Sequence, residues 1–269
     1  MSVLAGLRAP IPRLGFGARA APLIERNVLY FSRVRSVLIS GVFEPIFYLL
    51  GLGYGVGALV GSVNGPDGRP IEYALFVAPA LLATGAMNGA IAETTFNFFG
   101  KLKWGKIYDA ALATPIGVDD IAVGEALWAL MRGALYAATF LVVMVVFGLV
   151  RSPWALLAVP AAVLLGYAFA GAGLAATSFM RKWQDFDLIF VVQLPLFLFS
   201  ATFFPIDAYP EPLRILVALT PLYHGVELIR HLVIGLIGPQ LLVHAGYLVV
   251  MGTVGILIAT RRLQILLLK

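Results

Sequence analysis

The sequence predicts an all-α, polytopic membrane protein with six transmembrane helices and a re-entrant extracellular hairpin between spans 5 and 6. Three observations carry this. Of 269 residues 61% are hydrophobic and only 12% charged, about half the ~25% charge of an ordinary soluble domain, and the mean hydropathy is +0.94. The apolar residues fall into runs of membrane-spanning length. The basic residues sit at the edges of those runs rather than on one phosphate-tracking face, so a net charge of +5 reads as a topology signal and not as nucleic-acid binding. With no cysteine, disulfides, thiolate metal sites and cysteine nucleophiles are excluded.

Residues 1–36 hold Arg8, Arg13, Arg19, Arg26, Arg33 and Arg35 against one acid, Glu25. Ala18-Arg19-Ala20 resembles a cleavage site, but residues 1–20 lack an apolar core and are broken by Pro10 and Pro12, so no cleaved signal peptide is expected. From Ala21 to Ser36 the residues Leu23, Ile24, Val28, Leu29, Phe31 and Val34 recur at helical spacing with arginines between them. This fits an amphipathic helix on a membrane surface or a solvated lead-in to the first span; both readings stand.

The first span is expected at 37–60. It carries Glu44-Pro45 and the alternate glycines Gly51, Gly53, Gly55 and Gly57, which permit close helix approach or local unwinding. Asn64-Gly65-Pro66-Asp67-Gly68 is a turn cluster and leads to the second span, 73–91. Glu93 to Glu125 is the longest polar insertion; its helix-prone core from Ile107 to Thr114 is stopped by Pro115. The third span is expected at 126–150, the fourth at 154–179, the fifth at 188–204 and the sixth at 241–260.

The stretch between the fifth and sixth spans has its own grammar. Pro205, Pro210, Pro212 and Pro221 forbid one continuous helix. The apolar pieces 213–219 and 226–237 are each shorter than the ~20 residues a crossing needs. They are expected to dip in and turn back as a hairpin marked by Phe204, Pro205, Pro221, Glu227 and Arg230. With the N-terminus cytoplasmic, 14 of the 19 lysines and arginines lie inside, against Arg69, Arg151, Arg214 and Arg230 outside. Both termini are therefore expected inside.

Few residues invite chemistry. Gly100 to Lys106 matches GxxxxGK, but Ile107 stands where a magnesium-binding hydroxyl is needed and no strand precedes it, so no nucleotide site is expected. His224, Glu227 and His231 share one helical face; their spacing differs from that of a zinc hydrolase, and a structural role on short helices is the expectation over a metal site. Glu44 and Arg132 are the charges deepest in apolar sequence, and each needs a partner, water or substrate. A Glu44 to Arg132 ion pair, contacts along a substrate path and snorkelling to the interface all remain open. The phenylalanines Phe186, Phe190, Phe197, Phe199, Phe203 and Phe204 suit lipid contact, core packing or an aromatic exit. A proton-coupled transporter would use Glu44 or Glu93 as carrier, but no internal repeat is visible. A membrane-embedded enzyme would have only His224, Glu227 and His231.

LPLFLFSATFFPI (Leu194 to Ile206), the proline-broken loop after it, TPLYHGVELIR (Thr220 to Arg230) and FEPIFYLLGLGYGVG (Phe43 to Gly57) together resemble the permease subunit of type-2 ABC (ABC-2) exporters. Within these the chain is most similar to the nodulation-type lipo-oligosaccharide export permeases. The order and spacing of the stretches carry the resemblance, which extends from about Asn27 to the C-terminus. It implies a cytoplasmic segment 1–36 followed by an ABC-2 transmembrane domain, 37–269, in a bacterial plasma membrane. It implies a second permease copy, identical or related, and a separate ABC ATPase subunit holding ATP and Mg, with no cofactor on this chain. The substrate would be amphipathic: a glycolipid, lipo-oligosaccharide, polysaccharide or hydrophobic drug. The segment ending in Ala113-Thr114-Pro115 resembles the helix that seats in the ATPase, with Tyr108, Asp109, Leu112, Thr114 and Pro115 as its residues.

Overall fold

A computed structural model describes residues 19–33 and 43–267. Residues 37–42 of the expected first span lie outside them, as do Arg8, Arg13, Val34, Arg35 and Lys269. A short helix α1 (Ala21–Ser32) precedes the first membrane helix α2 (Phe43–Val60). A two-stranded antiparallel hairpin follows, β1 (Ser62–Asn64) with β2 (Pro70–Glu72), in the register Val63 to Ile71. The expected turn cluster closes it, with Gly68 at φ 77°, a conformation that glycine adopts without steric cost.

The helices α3 (Tyr73–Trp104), α5 (Val118–Val146) and α6 (Pro153–Phe179, opening with a 3-10 turn) supply the centre, and α10 (Gln240–Leu267) closes it. Between α3 and α5 lies the short α4 (Ile107–Leu112). Between α6 and α10 come α7 (Phe186–Leu198), α8 (Glu211–Leu219) and α9 (Pro221–Ile234). Among the described residues, five helices (α2, α3, α5, α6 and α10) are long and apolar enough to cross a membrane.

Two boundaries depart from expectation. The fifth span, expected at 188–204, is realised as the 13-residue α7; at ~1.5 Å per residue this is about 20 Å, short of the ~30 Å hydrocarbon core. Pro195 stands inside its last turn, the Phe199 N–H donates to the Pro195 carbonyl at 2.8 Å, and Ala201 then takes a positive φ of 53°. Phe203 and Phe204 therefore follow the helix rather than complete it. The polar insertion 93–125 is also much shorter than expected, because α3 runs on to Trp104 and α5 starts at Val118. Glu93 and Glu125, which bounded the expected insertion, are ion-paired within these helices.

α6 is the hub. It touches α3, α5, α9 and α10, and it crosses α10 where a methyl at Gly171 would overlap the backbone of Gly252. Small residues allow such approach where no water-driven force joins the helices. One core cluster joins α3, α5, α6 and α9 around Val77, Met144, Leu165 and Ile229. A second gathers Leu23, Phe98, Tyr108, Ile121, Leu174 and Leu263, tying α1 and α4 to the adjoining ends of α3, α5, α6 and α10.

Two helices widen. In α2 the glycine-rich stretch Leu49–Val56 forms π turns, and Gly53 and Gly57 bring it against Ala74 and Tyr73 of α3. In α3, Glu93–Asn97 and Gly100–Trp104 are π-helical; the Thr94 carbonyl accepts from Thr177 Oγ1 of α6 at 2.9 Å. Such widened turns occur often at functional sites.

Candidate functional site

The antiparallel helices α3 and α5 are joined by two ion pairs of opposite sense. At one level Glu93 of α3 meets Arg132 of α5. About two turns away, Lys101 Nζ of α3 donates to Glu125 Oε2 of α5 at 2.5 Å. The Glu125 carboxylate is the centre of a network: Asn27 Nδ2 donates to it at 3.3 Å and Arg26 Nη2 approaches at 3.4 Å, both from α1, while Lys101 also reaches Asn27 Oδ1 at 3.2 Å. Glu125 is 2% exposed, so three polar groups from two helices replace its hydration shell.

Of the three readings left open for Glu44 and Arg132, an ion pair between the two is not the one this arrangement holds. Arg132 takes Glu93, because the π turn at Glu93–Asn97 keeps that carboxylate inside the helix pair, 5% exposed. Glu44 is exposed on α2 and shares a cavity of about 270 Å³ with Arg132, Tyr136 and Asn88. Arg132 also lies over the rings of Phe31 and Tyr136, 5.3 Å from each centroid.

A larger chamber of about 730 Å³ lies on the other side of Arg132, walled by α1, α3 and α5 and by Ile107 at the start of α4. Its wall combines Arg26, Lys101 and Arg132 with aromatic rings, among them Phe31, Phe96 and Trp128. Phe31 meets Trp128 edge to face at 5.5 Å. Among the described residues Arg132 is the one common to the two cavities, and it forms a shared wall between them.

α4 is anchored from within. Tyr108 is 1% exposed and rests 5.1 Å from Phe98; burial, then the neighbouring Glu125 charge, holds its phenol well above the usual value. Leu112 packs half-buried against the same cluster. Asp109, Ala110, Thr114 and Pro115 face outward. The helix stops at Leu112 and the chain turns through Thr114 and Pro115, short of the expected Thr114. Arg19 Nη1 donates to the Pro115 carbonyl at 2.7 Å, and Asp120 accepts from Gly117 N at 2.8 Å and Arg19 N at 2.9 Å.

The residues expected to mark the hairpin become a clamp. Arg230, 1% exposed, meets Glu227 through Nη1, donates from Nε to the Phe76 carbonyl at 3.2 Å and from Nη2 to the Ala201 carbonyl at 2.8 Å. Its guanidinium also stacks 3.8 Å from the Phe76 ring centroid. Pro221 opens α9 after Thr220, whose hydroxyl accepts from Tyr223 N; Phe204 is exposed and Pro205 half-buried.

His224, Glu227 and His231 do share a face of α9, with bonds directed inward. His224 Nδ1 meets His244 Nδ1 of α10 at 2.8 Å, and His231 Nδ1 meets the Glu227 carbonyl at 2.8 Å. One imidazole donates and the other accepts across the first contact, and burial lowers His224 from 6.5 to about 4, so it stays neutral. Among the described residues no group of three histidines or acids is arranged to hold a metal ion.

Residues 22–234 match the family described as ABC-2 type transporter, more than half of the chain. The chain belongs to the ABC-2 type transporter membrane family. It is 30% identical over 243 residues to Nodulation protein J of Rhizobium leguminosarum bv. viciae, covering 89% of this chain and 92% of the relative. To Nodulation protein J of Rhizobium leguminosarum bv. trifolii it is 31% identical over 248 residues, 91% and 92% of the two chains. To that of Rhizobium meliloti it is 30% identical over 226 residues, 82% of each. The resemblance read from the sequence is thereby shown, and the ABC-2 match covers α1 through α9, including the chamber, α4 and the Arg230 clamp.

Sequence reasoning missed Glu125, Asn27 and Lys101 as a network and Trp128 as chamber wall. Glu125 and Glu93 were used to delimit the polar insertion, so the helical register that pairs them was hidden. A legible signal was there: Glu93 and Lys101 lie two turns apart, as do Glu125 and Arg132, with the charge order reversed, which suits two antiparallel helices.

Proposed function

We propose that this ABC-type exporter permease is the membrane half of an ATP-driven machine for an amphipathic substrate, working with a separate ABC ATPase and a second permease copy in the bacterial plasma membrane. The observation that carries the reading is α4. It links α3 to α5, is held by the buried Tyr108 and presents Asp109, Ala110 and Thr114 outward. A short helix locked to two membrane helices transmits displacement as a rigid body. The charged network around Glu125 sits beside it, so motion of α4 reaches α1, α3 and α5 together.

In this account both termini are cytoplasmic, which puts α4 on the ATPase side and the β1 to β2 hairpin outside. α7 then begins a fifth crossing that the bent segment after Leu198 completes, and α8 and α9 form the external hairpin. The exposed apolar side chains of α7, such as Leu188, Val191 and Leu194, suit lipid or a second copy. The pairing of Glu93 with Arg132 weighs against Glu93 as a free proton carrier. The internal bonds of His224 and His231 weigh against the enzyme reading.

The test is reconstitution of the permease with its partner ATPase in sealed vesicles. ATP-dependent movement of a lipid-linked substrate supports the proposal. Transport that runs on a proton gradient without ATP contradicts it.

A further inference from the structure

The chamber between α1, α3 and α5 carries more than a route. Its wall brings three cations, Arg26, Lys101 and Arg132, to one space, while two carboxylates, Glu93 and Glu125, balance them. One positive charge is left over. The volume of about 730 Å³ falls in the range of ~300–1,000 Å³ that small-molecule sites occupy. The remaining wall is largely aromatic, with Phe31, Phe96 and Trp128 facing the same space.

We propose that this chamber binds the anionic head group of an amphiphile, with Arg132 as the charge contact and the aromatic wall holding the apolar part next to it. A singly negative head group neutralises the surplus charge, whereas a zwitterion leaves it. Arg132 is the suited contact for three reasons. Its side chain is 26% exposed, so it is accessible. It borders the smaller cavity as well as the chamber. It is a planar donor that accommodates phosphate-type oxygens in a two-bonded geometry.

The arrangement also gives binding a consequence. An anion on Arg132 competes with Glu93, and release of that pair removes the upper connection between α3 and α5. The lower one, Lys101 with Glu125, stays closed. The wall that separates the two cavities then loosens where the smaller cavity begins, next to Glu44. The inference rests on reading the chain as a permease for amphiphiles, and it names the charge class of that amphiphile.

The experiment uses the full chain alone in neutral maltoside micelles, without ATPase or nucleotide. Dioctanoyl phosphatidylglycerol, dioctanoyl phosphatidylcholine and glycerol phosphate are titrated by calorimetry, with tryptophan fluorescence as a second readout because Trp104 and Trp128 line the chamber. The anionic lipid should bind saturably, one per chain, about tenfold or more tighter than the zwitterion, as a lost charge-assisted contact implies. Glycerol phosphate should bind far more weakly than the lipid.

Arg132→Gln should weaken the anionic lipid by about tenfold, and Glu93→Gln, which removes the competitor, should leave it as tight or tighter. Arg26→Gln, whose parent side chain is 36% exposed and whose loss leaves Lys101 and Asn27 on Glu125, should give the same direction, and it decides the matter if Arg132→Gln does not fold. Equal binding of the two lipids, glycerol phosphate binding as tightly as the lipid, or full affinity retained by the arginine variants overturns the proposal. Because no ATPase is present, such a failure leaves ATP-driven export standing, and failed transport leaves this binding result standing.

Discussion

Glu93 and Arg132 form an ion pair across α3 and α5, and the same guanidinium lies against Phe31 of α1 at 5.3 Å and closes the wall between two cavities. In a low-dielectric site neither partner is stable alone. Glu93→Ala and Arg132→Ala should each lower stability by roughly 1–3 kcal/mol, below the ~3–5 kcal/mol of a fully buried pair because Arg132 keeps some solvent contact. The reversed pair, Glu93→Arg with Arg132→Glu, should recover part of the loss, and Glu44→Ala should cost little. Thermal unfolding in detergent checks this; a large loss for Glu44→Ala and none for Glu93→Ala would contradict it and favour a Glu44 to Arg132 pair.

Arg230 joins three segments through one guanidinium: the start of α3, the bend at Ala201 and its own helix α9. Arg230→Met should cost on the order of 3–5 kcal/mol, since it leaves Glu227 charged and buried. Arg230→Met combined with Glu227→Gln should lose less than the single change, because the stranded charge is gone. Yield and thermal midpoint of the two variants give the comparison.

The His224 to His244 contact sets a pH window. Burial lowers the folded value of His224 from 6.5 to about 4, so between these values the unfolded chain takes up a proton that the folded chain refuses. Stability from this site is therefore constant above pH 6.5 and falls as pH drops from 6.5 toward 4, by on the order of 2 kcal/mol. His224→Gln should flatten that part of the profile. A wild-type profile no steeper than that of the variant would contradict the assignment.

Topology has an independent check, because the chain contains no cysteine. Single cysteines at Asp67 and Glu211, in the β1 to β2 turn and at the start of α8, should react with an impermeant thiol reagent from outside intact cells. Labelling of either one only after the cytoplasmic face is opened would reverse the orientation.

What the sequence disclosed and what it hid follow one physical line. Apolar length is a local property, so α2, α3, α5, α6 and α10 were legible, as were the turn at Gly68 and the breaks at Pro205 and Pro221. Family membership was legible from the order of three stretches. Charge was the misleading signal. Glu93 and Glu125 ended spans on paper, yet Arg132 and Lys101 neutralise them within continuous helices, and a pairing between helices has no trace in local hydropathy. The far boundary of the fifth span was hidden for the opposite reason: 188–204 is apolar but for Gln193, Ser200 and Thr202, and the Pro195 break and the positive φ of Ala201 are backbone events that hydropathy ignores. The amphipathic reading of α1 was half visible, since Val28, Leu29 and Tyr30 are exposed while Leu23 and Asn27 turn inward to the protein.

The central claim is that α4 receives the work of a separate ATPase, and one comparison tests it most directly. Leu112 packs against the core, so the informative changes are at its outward neighbours: Asp109→Lys with Ala110→Trp. In vesicles holding the permease and its ATPase, this double variant should insert and fold normally yet lose substrate movement per ATP hydrolysed by about tenfold or more, or release the ATPase on purification. Parental coupling and parental ATPase retention in the double variant would contradict the account.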